Sequence, residues 1–318
     1  IAGTPIPMMM GTDFSGIARM VEKQCGIPSF GFSTNGMHSY LSGVGMALEK
    51  IAERFCDPSL RPVPLGKGEK IRVNLLGVTP LDFSVTGTVE ALRDLLEKNG
   101  FFVQSCWAMG SSWEGLMSAG RAQVNLVVSS CGMPLARVLQ QRYGIPWVMG
   151  VPVGKRFSQR IFQALRKAAE EGTGSDLFRR DVSPDRRKSP CFLIGEPVWC
   201  ASLREMLEEE WGFSHVRVLC PLETGEGILR EEDCLQAEED DFLALLPEAS
   251  CVIGDPLYRR ALRGKEVPFV DLPHEGCSGR MYRKNIPVLV GEAFSRWMET
   301  HLEKPLARGE REGPTQSV

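Results

Sequence analysis

The chain has 318 residues, a formal net charge of −3 and ten scattered cysteines with no C-x-x-C pair. This length is about twice that of a typical domain, so we expect two or three compact units, each with its own core. The balanced charge gives no electrostatic basis for binding nucleic acid, and no apolar run reaches the roughly 20 residues of a membrane span. The cysteine pattern and the lack of a signal peptide favour a reducing cytoplasm over an oxidised, secreted scaffold.

Residues 1–68 are predicted to form a partial N-terminal α/β segment. The chain opens on Ile1 in an apolar loop rich in glycine and proline, which indicates a truncation that removed an earlier element. The helical spacing of apolar residues predicts helices over 13–25 and 39–55. A short strand is predicted between them, over 27–32.

Residues 69–175 are predicted to form a Rossmann-like domain. Short β-branched runs alternate here with longer amphipathic ones, which is the pattern of a parallel sheet covered by helices. The predicted strands cover 71–77, 101–107, 124–129 and 145–150.

Residues 190–302 repeat this alternation after a predicted linker over 172–190, and are predicted to form a second Rossmann-like domain. The predicted strands cover 191–195, 216–219, 251–254 and 268–272. The polar tail 303–318 is predicted to be disordered. The fold class expected from these patterns is α/β, with multiple Rossmann-like domains built on parallel sheets.

The two predicted sheets share short sequence correspondences. Leu75-Leu76-Gly77 at the end of one strand corresponds to Leu193-Ile194-Gly195 at the end of another. A duplication would explain this likeness. The strand and helix alternation common to all doubly wound domains would explain it equally, and both interpretations remain open at this stage.

No nucleotide-binding motif is complete. The stretch from Gly150 to Lys155 is one residue short of a phosphate-binding loop, and Arg156 stands where that loop needs a hydroxyl. Neither Gly77 nor Gly195 is followed by the second glycine that lets backbone approach a pyrophosphate. No NAD or ATP site is therefore predicted in this chain.

Two loops are predicted to form a ligand site, because each follows the carboxyl end of a predicted parallel strand. His274 lies just past the last strand, and Cys277 follows three residues later, so that an imidazole and a thiol could reach one metal or cofactor. In the other unit, small polar residues and backbone N–H groups follow the strand that ends near Ser129. The alternative is that these are ordinary loop residues, with Cys131 and Cys277 as partly buried fillers.

Five short stretches resemble the nitrogenase component 1 type oxidoreductases. They are Met10-Gly-Thr-Asp-Phe14, Gly26-Ile-Pro-Ser-Phe30, Asn125-Leu-Val127, Tyr143-Gly-Ile-Pro-Trp147 and Pro273-His-Glu-Gly-Cys-Ser-Gly279. This resemblance implies three Rossmann-like domains around a central cofactor cleft. It also implies pairing with a similar subunit into dimers or heterotetramers, and electrons supplied by an ATP-hydrolysing iron–sulfur reductase.

The resemblance places His274 where the family's catalytic subunit has a histidine ligand to its iron–sulfur–metal cofactor. The cysteine ligand of that cofactor would fall near Val128 or Ser129, where this chain has no thiol, and Cys131 comes two or three residues late. The cysteine for the family's bridging cluster would fall near Thr4 or Pro5, and neither is a cysteine. The chain is therefore expected to be a divergent member without a complete cluster site.

The expected function is that of a nitrogenase-like oxidoreductase subunit that binds a metallocofactor or a tetrapyrrole-like ligand in an inter-domain cleft. The alternative is a non-catalytic scaffold or carrier for the assembly of a metal cofactor. His274 is the candidate proton donor or metal ligand, with Cys277 as a second soft ligand. The candidate cofactor-binding residues are Ser129, Ser130, Cys131, Gly132, Gly276, Cys277, Ser278, Gly279 and Arg280.

Overall fold

The computed structural model describes residue 3 and residues 5–178, 185, 188–223 and 227–309. The N-terminal segment and the first unit contain α1 (Pro5–Met9), α2 (Phe14–Cys25), α3 (Tyr40–Phe55), β1 (Ile71–Val78), α4 (Pro80–Phe83), α5 (Thr88–Lys98), β2 (Phe101–Ala108), α6 (Trp113–Met117), β3 (Val124–Val127), α7 (Met133–Tyr143), β4 (Trp147–Met149), α8 (Arg156–Glu171) and β5 (Ser175–Asp176). The second unit contains β6 (Cys191–Ile194), α9 (Pro197–Glu210), β7 (Val216–Cys220), β8 (Cys234–Leu235), α10 (Glu239–Leu245), β9 (Cys251–Gly254), β10 (Phe269–Asp271), α11 (Glu275–Tyr282) and α12 (Gly291–Gly309).

Two parallel sheets form the framework, and they confirm the predicted α/β class. The first sheet has five strands in the order β2-β1-β3-β4-β5, and every pair in it is parallel. The second has five strands in the order β10-β9-β6-β7-β8, again all parallel. In the described residues, no helix has the length and apolarity needed to cross a membrane.

The four main strands of the two sheets have the same order. Without the two-residue strands β5 and β8, the first sheet is β2-β1-β3-β4 and the second, taken from its other edge, is β7-β6-β9-β10. Numbered within each unit, both orders are 2-1-3-4. A duplication accounts for this common order, and so does the alternation shared by doubly wound domains.

Three predicted segments differ from the observed elements. The predicted strand 27–32 is reduced to an isolated bridge at Phe32, whose carbonyl accepts a hydrogen bond from the Gly3 backbone N–H at 3.1 Å. The predicted linker 172–190 contains the two-residue strand β5, which lengthens the first sheet. The last helix continues to Gly309, so the predicted tail begins helical, and its residues 310–318 lie outside the described part of the chain.

A short local pattern turns the chain from strand to helix at three strand ends. Thr79, Glu196 and Asp255 each precede a proline and each accept a hydrogen bond from a backbone N–H of the next turn. Proline suits the first position of a helix because its missing N–H would have no partner there, and its φ is already helical. This pattern places two acidic side chains at the carboxyl ends of β6 and β9.

The two units share one continuous apolar core. Leu75 in β1, Leu193 in β6, Met206 in α9 and Phe294 in α12 all belong to it. The Arg160 side chain on α8 also makes ion pairs with Glu205 at 2.8 Å and Glu209 at 2.5 Å on α9. The sheets are therefore held together by apolar packing and by charge along the α8–α9 contact.

Candidate functional site

The candidate site lies at the points where the strand order of each sheet reverses. In the first sheet this point lies between β1 and β3, and in the second between β6 and β9. Parallel sheets bind ligands in the crevice outside the carboxyl ends of such strands. The loops after β1, β3, β6, β9 and β10 meet here, and they bring together residues far apart in the sequence.

Asp82 is the central side chain of this cluster. It follows β1 in the short helix α4 and is buried. Its Oδ2 accepts a hydrogen bond from Ser129 Oγ at 2.8 Å, and its Oδ1 accepts one from the Tyr40 hydroxyl. The same Oδ1 lies 3.4 Å from Nε2 of His274. The two loops predicted from the sequence therefore meet on one carboxylate.

Glu196 connects the loop after β3 with the second unit. Its Oε1 accepts a hydrogen bond from the Ser130 backbone N–H at 2.8 Å and lies 3.4 Å from Ser129 Oγ. Its Oε2 accepts a hydrogen bond from the Trp199 backbone N–H at 2.8 Å. Burial and the negative charge of Asp82 raise the pKa of Glu196 to about 7. This carboxyl therefore changes charge near neutral pH.

Two glycines allow the loop after β3 to pack closely on β1. A Cβ on Gly132 would lie 2.8 Å from the backbone carbonyl atoms of Leu76, closer than real Cβ contacts. Gly77 has a φ of +85°, and a Cβ there would lie 3.0 Å from the Gly132 nitrogen. Neither position has room for a side chain, so both glycines are required to hold Ser129 and Ser130 in place.

His274 is held by its backbone, and its ring lies beside Asp82 without a hydrogen bond of good geometry among the described residues. Its N–H donates to Asp255 Oδ2 at 2.9 Å, and its carbonyl accepts from the N–H groups of Cys277 and Ser278 at the start of α11. Within the described part of the chain, neither ring nitrogen makes a hydrogen bond of good geometry, although both are buried. Buried ring nitrogens are normally satisfied, so the ring is suited to bind a ligand group.

The charge state of the His274 ring depends on the acidic groups around it. Its side chain is 17% exposed. Burial lowers the pKa of His274, but the side chains of Asp82 and Cys277 outweigh that effect and raise it to about 10. Burial, together with Asp82, also raises the pKa of Tyr40 far above its ordinary value. At neutral pH these shifts favour a charged imidazole and a neutral phenol in the cluster.

The remaining predicted residues are placed as follows. Ser129 and Ser130 contact Glu196, and the Ser130 hydroxyl is buried without a partner among the described residues. The buried thiol of Cys131 lies 3.2 Å from Ser129 Oγ. Gly276 lies against the His274 ring, since a Cβ there would come within 3.3 Å of Nδ1.

The rest of the predicted loop forms the first turns of α11. Ser278 and Gly279 are buried, and the Ser278 hydroxyl donates to Asp255. Cys277 and Arg280 are exposed. The loop is thus partly used in capping its own helix, and only its first residues lie beside the imidazole.

Sequence reasoning missed Tyr40, Asp82 and Glu196. A signal for Glu196 was present, because it stands between the glycine that ends a predicted strand and a proline that begins a helix. Asp255 has the same setting, between Gly254 and Pro256. Asp82 lies in the turn that the same pattern begins at Thr79 and Pro80, just after β1. Tyr40 carries no such local signal, since its role depends on contacts between separate parts of the chain.

The donors around the site do not fit a resident iron–sulfur or metal cluster. In the ranges that the structure describes, no group of three or more His, Cys, Asp or Glu side chains is arranged to hold a metal ion. Burial and the charge of Asp82 hold the pKa of the Cys131 thiol well above its ordinary value, which disfavours the thiolate that clusters require. The site instead offers an imidazolium and a hydroxyl as hydrogen-bond donors.

Comparisons with known proteins give one family. The model of the nitrogenase component 1 type oxidoreductase family matches residues 1–221. The nitrogenase iron-molybdenum cofactor biosynthesis protein NifE of Klebsiella pneumoniae is 24% identical over 64% of this chain and 45% of its own length. A subunit of the light-independent protochlorophyllide reductase of Gloeothece citriformis is 30% identical over 82% of this chain and 60% of its own.

A third relative is the nitrogenase molybdenum-iron protein alpha chain of Clostridium pasteurianum, which is 25% identical over 54% of this chain and 30% of its own. The chain thus spans 60% or less of the length of these curated relatives. Among solved structures, one described as nitrogenase Cp1 at pH 6.5 matches with a TM-score of 0.65 and 15% identity, over 100% of this chain and 78% of that one. At this identity the likeness shows the fold alone.

Proposed function

The chain belongs to the nitrogenase component 1 type oxidoreductase family, and we propose that it is the ligand-binding subunit of an oxidoreductase that reduces a tetrapyrrole-like molecule. The ligand binds at the common edge of the two sheets. Electrons arrive one at a time from an ATP-hydrolysing iron–sulfur reductase, and a similar subunit completes the oligomer. The protein acts in the cytoplasm.

The observation that carries this proposal is the buried His274 ring, whose Nε2 lies 3.4 Å from the Asp82 carboxylate and whose nitrogens make no hydrogen bond of good geometry within the described residues. Reduction of a conjugated ring needs a proton for each electron that is added. An imidazolium can supply such a proton, and the carboxylate next to it favours the return of the ring to its charged form. The Ser130 hydroxyl, also buried without a partner among the described residues, gives a second contact for the ligand.

The residues of this chain divide the work of the site. His274 donates its proton to the ligand and becomes neutral. Asp82 stabilises the charged imidazole before the transfer, and the hydroxyls of Tyr40 and Ser129 hold Asp82 in place. Glu196 fixes the loop that carries Ser129 and Ser130. Gly276 leaves room beside the ring for the ligand, because it has no side chain there.

Two relatives support different forms of this function. The protochlorophyllide reductase relative covers 82% of the chain, and its name states the reduction of protochlorophyllide, a tetrapyrrole. The NifE relative is named for iron-molybdenum cofactor biosynthesis, which corresponds to the scaffold alternative. The acid and base groups around His274 favour the reductase, because a carrier that releases its cargo unchanged has no need of a proton donor.

The test is anaerobic purification of the chain, followed by metal analysis and an optical titration with protoporphyrin IX, a stable tetrapyrrole. We expect saturable binding, seen as a shift of the porphyrin absorption band, and no stoichiometric iron or sulfide after attempted cluster reconstitution. Binding of iron and sulfide in stoichiometric amounts, without porphyrin binding, would reject the proposal in favour of the scaffold. A chain that binds neither would reject both.

A further inference from the structure

Asp82 contacts three other side chains of the site, each from a separate element. Its two oxygens face Tyr40 from α3, Ser129 from the loop after β3, and His274 from the start of α11. It is 5% exposed. A buried carboxylate in contact with three side chains from separate elements fixes their relative positions, because moving it would leave each without its partner.

The orientation of the His274 ring follows from this contact. Nε2 lies on the Asp82 side at 3.4 Å. Gly276 lies over the Cε1–Nδ1 edge of the ring, where a Cβ would come within 3.2 Å of Cε1 and 3.3 Å of Nδ1. Gly276 is exposed, so the ring face at Nδ1 is separated from solvent by a residue that has no side chain.

Two further ionisable groups on α11 bear on the ring. Cys277 raises the pKa of His274, and Glu275 is held by Arg283 at 2.6 Å and by Ser84 Oγ at 2.7 Å. Glu275 is thus paired with Arg283, and the carboxylate nearest the ring is Asp82, 3.4 Å from Nε2. A ligand carboxylate at the ring would add a second negative charge beside Asp82, whereas an uncharged acceptor such as a carbonyl oxygen or a ring nitrogen would not.

We propose that Asp82 is the positioning residue of the site: it holds Nε2 of His274 and thereby directs Nδ1 at an uncharged hydrogen-bond acceptor of the ligand. This inference rests on the proposed function, since it names the part of the ligand that His274 contacts. Asp82 touches the ligand nowhere and acts through the imidazole. If Asp82 had only a structural role, its replacement would weaken ligand binding by the same factor whether or not His274 were present.

A spectroscopic measurement on the ligand-free chain tests whether Asp82 holds Nε2 of His274. Long-range ¹H–¹⁵N NMR of histidine-labelled protein at pH 7.5 reports the proton on each ring nitrogen, and His274→Gln identifies the His274 signals. We expect both nitrogens of His274 to carry protons in the wild type and one in Asp82→Asn. Glu275→Gln, which removes a nearby charge that does not contact the ring, is the matched control and should retain both protons.

A neutral His274 in the wild type, or an unchanged signal in Asp82→Asn, would overturn the positioning role. If Asp82→Asn fails to fold, the wild-type spectrum alone still shows whether His274 is charged or neutral. Neither result depends on any ligand, so the failure of the proposed function would not be confused with the failure of this inference.

Binding of protoporphyrin IX tests whether Asp82 acts through His274 and whether His274 contacts an uncharged acceptor of the ligand. We expect Asp82→Asn to weaken binding at least tenfold in the wild-type background but less than twofold in the His274→Gln background. Equal losses in both backgrounds would show a structural role and overturn the inference. The dimethyl ester of the porphyrin should bind within about threefold of the diacid; a tenfold preference for the diacid would mean that His274 recognises a carboxylate, contrary to the proposal. Absence of porphyrin binding by the wild type would reject the proposed function.

Discussion

The carboxylate of Glu196 accepts a hydrogen bond from the Ser130 backbone N–H at 2.8 Å, and this bond joins the end of β6 in one sheet to the end of β3 in the other. The bond uses one of the backbone donors of the loop that sequence reasoning assigned to ligand binding. The loop after β3 therefore has a structural task as well, and its position depends on the charge of one buried acid.

Glu196→Gln should change how the stability of the protein depends on pH. The pKa of Glu196 is about 7 in the folded protein and has an ordinary value of 4.5. Between these values the folded state binds the extra proton, so the wild type loses stability as the pH rises, by up to about 3 kcal/mol. The glutamine side chain of the variant cannot ionise. The variant should therefore lose less of its free energy of unfolding over this pH range than the wild type does. Urea denaturation at pH 5 and pH 8 measures the difference.

The control for this prediction is Glu239→Gln, since Glu239 is exposed on α10. It should follow the wild-type dependence on pH. A constant offset in the stability of Glu196→Gln is expected, because the amide nitrogen cannot accept one of the two backbone hydrogen bonds. Parallel curves for wild type and Glu196→Gln would contradict the prediction.

Replacing His274 by alanine should weaken protoporphyrin IX binding at least about tenfold, or 1.4 kcal/mol, with little change in folding. The expected loss follows from the ring's position beside Asp82, where its nitrogens form no hydrogen bond of good geometry within the described residues. His301 is exposed on α12 and serves as the matched position. Optical titrations of the two variants should differ, and equal affinities would remove His274 from the site.

Gly132→Ala should destabilise the protein by about 2 kcal/mol, because the added methyl group would press on the backbone of Leu76. Gly43→Ala in α3 is the matched control, since nothing lies within 4 Å of its Cβ position. That change should be neutral or stabilise the helix by about 0.5 to 1 kcal/mol. Denaturation midpoints in urea compare the two, and a stable Gly132→Ala protein would show that the loop can move.

Two thiols should react with iodoacetamide in the native protein. Cys25 and Cys277 are exposed and Cys234 is intermediate, while the other seven of the ten cysteines are buried. Burial also raises the pKa of Cys56 and Cys106 to about 11, which reduces their reactive thiolate. Mass spectrometry of timed samples gives the order of modification, and all ten thiols should react after unfolding without reductant.

Bound protoporphyrin IX should slow the modification of Cys277 at least tenfold and leave that of Cys25 unchanged. Cys277 lies next to Gly276, which faces the His274 ring, whereas Cys25 ends α2 in the N-terminal segment. The two cysteines thus provide the test and its control in one sample. Equal protection of both would indicate a general change of the protein, and protection of neither would place the porphyrin elsewhere.

The sequence was sufficient for the sheets because their signals are local. The predicted strand 71–77 is observed as Ile71–Val78, and the predicted strand 251–254 as Cys251–Gly254, since buried parallel strands appear as short apolar runs between turn residues. The prediction of a strand over 27–32 was wrong because it rested on local signals alone. Its β-branched and aromatic residues are typical of a strand, but in the described residues no neighbouring strand extends the pairing beyond Phe32.

The site was only partly predictable because its central residue depends on distant contacts. The rule that ligands bind at loops after parallel strands led to Ser129 and His274, which the structure brings to one carboxylate. Asp82, however, lies in the four-residue helix α4, and its partners Tyr40 and His274 come from opposite ends of the chain. No spacing rule connects three positions so far apart. Strand order, which decides the neighbours of β1 and β6, is likewise absent from local patterns.

The path of α12 has a consequence for the order of events during synthesis. The Leu289 backbone N–H donates to Thr88 Oγ1 at 3.2 Å, so the segment leading into α12 returns to the first unit. Phe294 of α12 then packs edge to face on Trp199. The strands of both sheets precede His274 in the chain, so His274 reaches Asp82 only after both sheets have been synthesised. The contact between the two units at this edge is therefore made after the strands that position it.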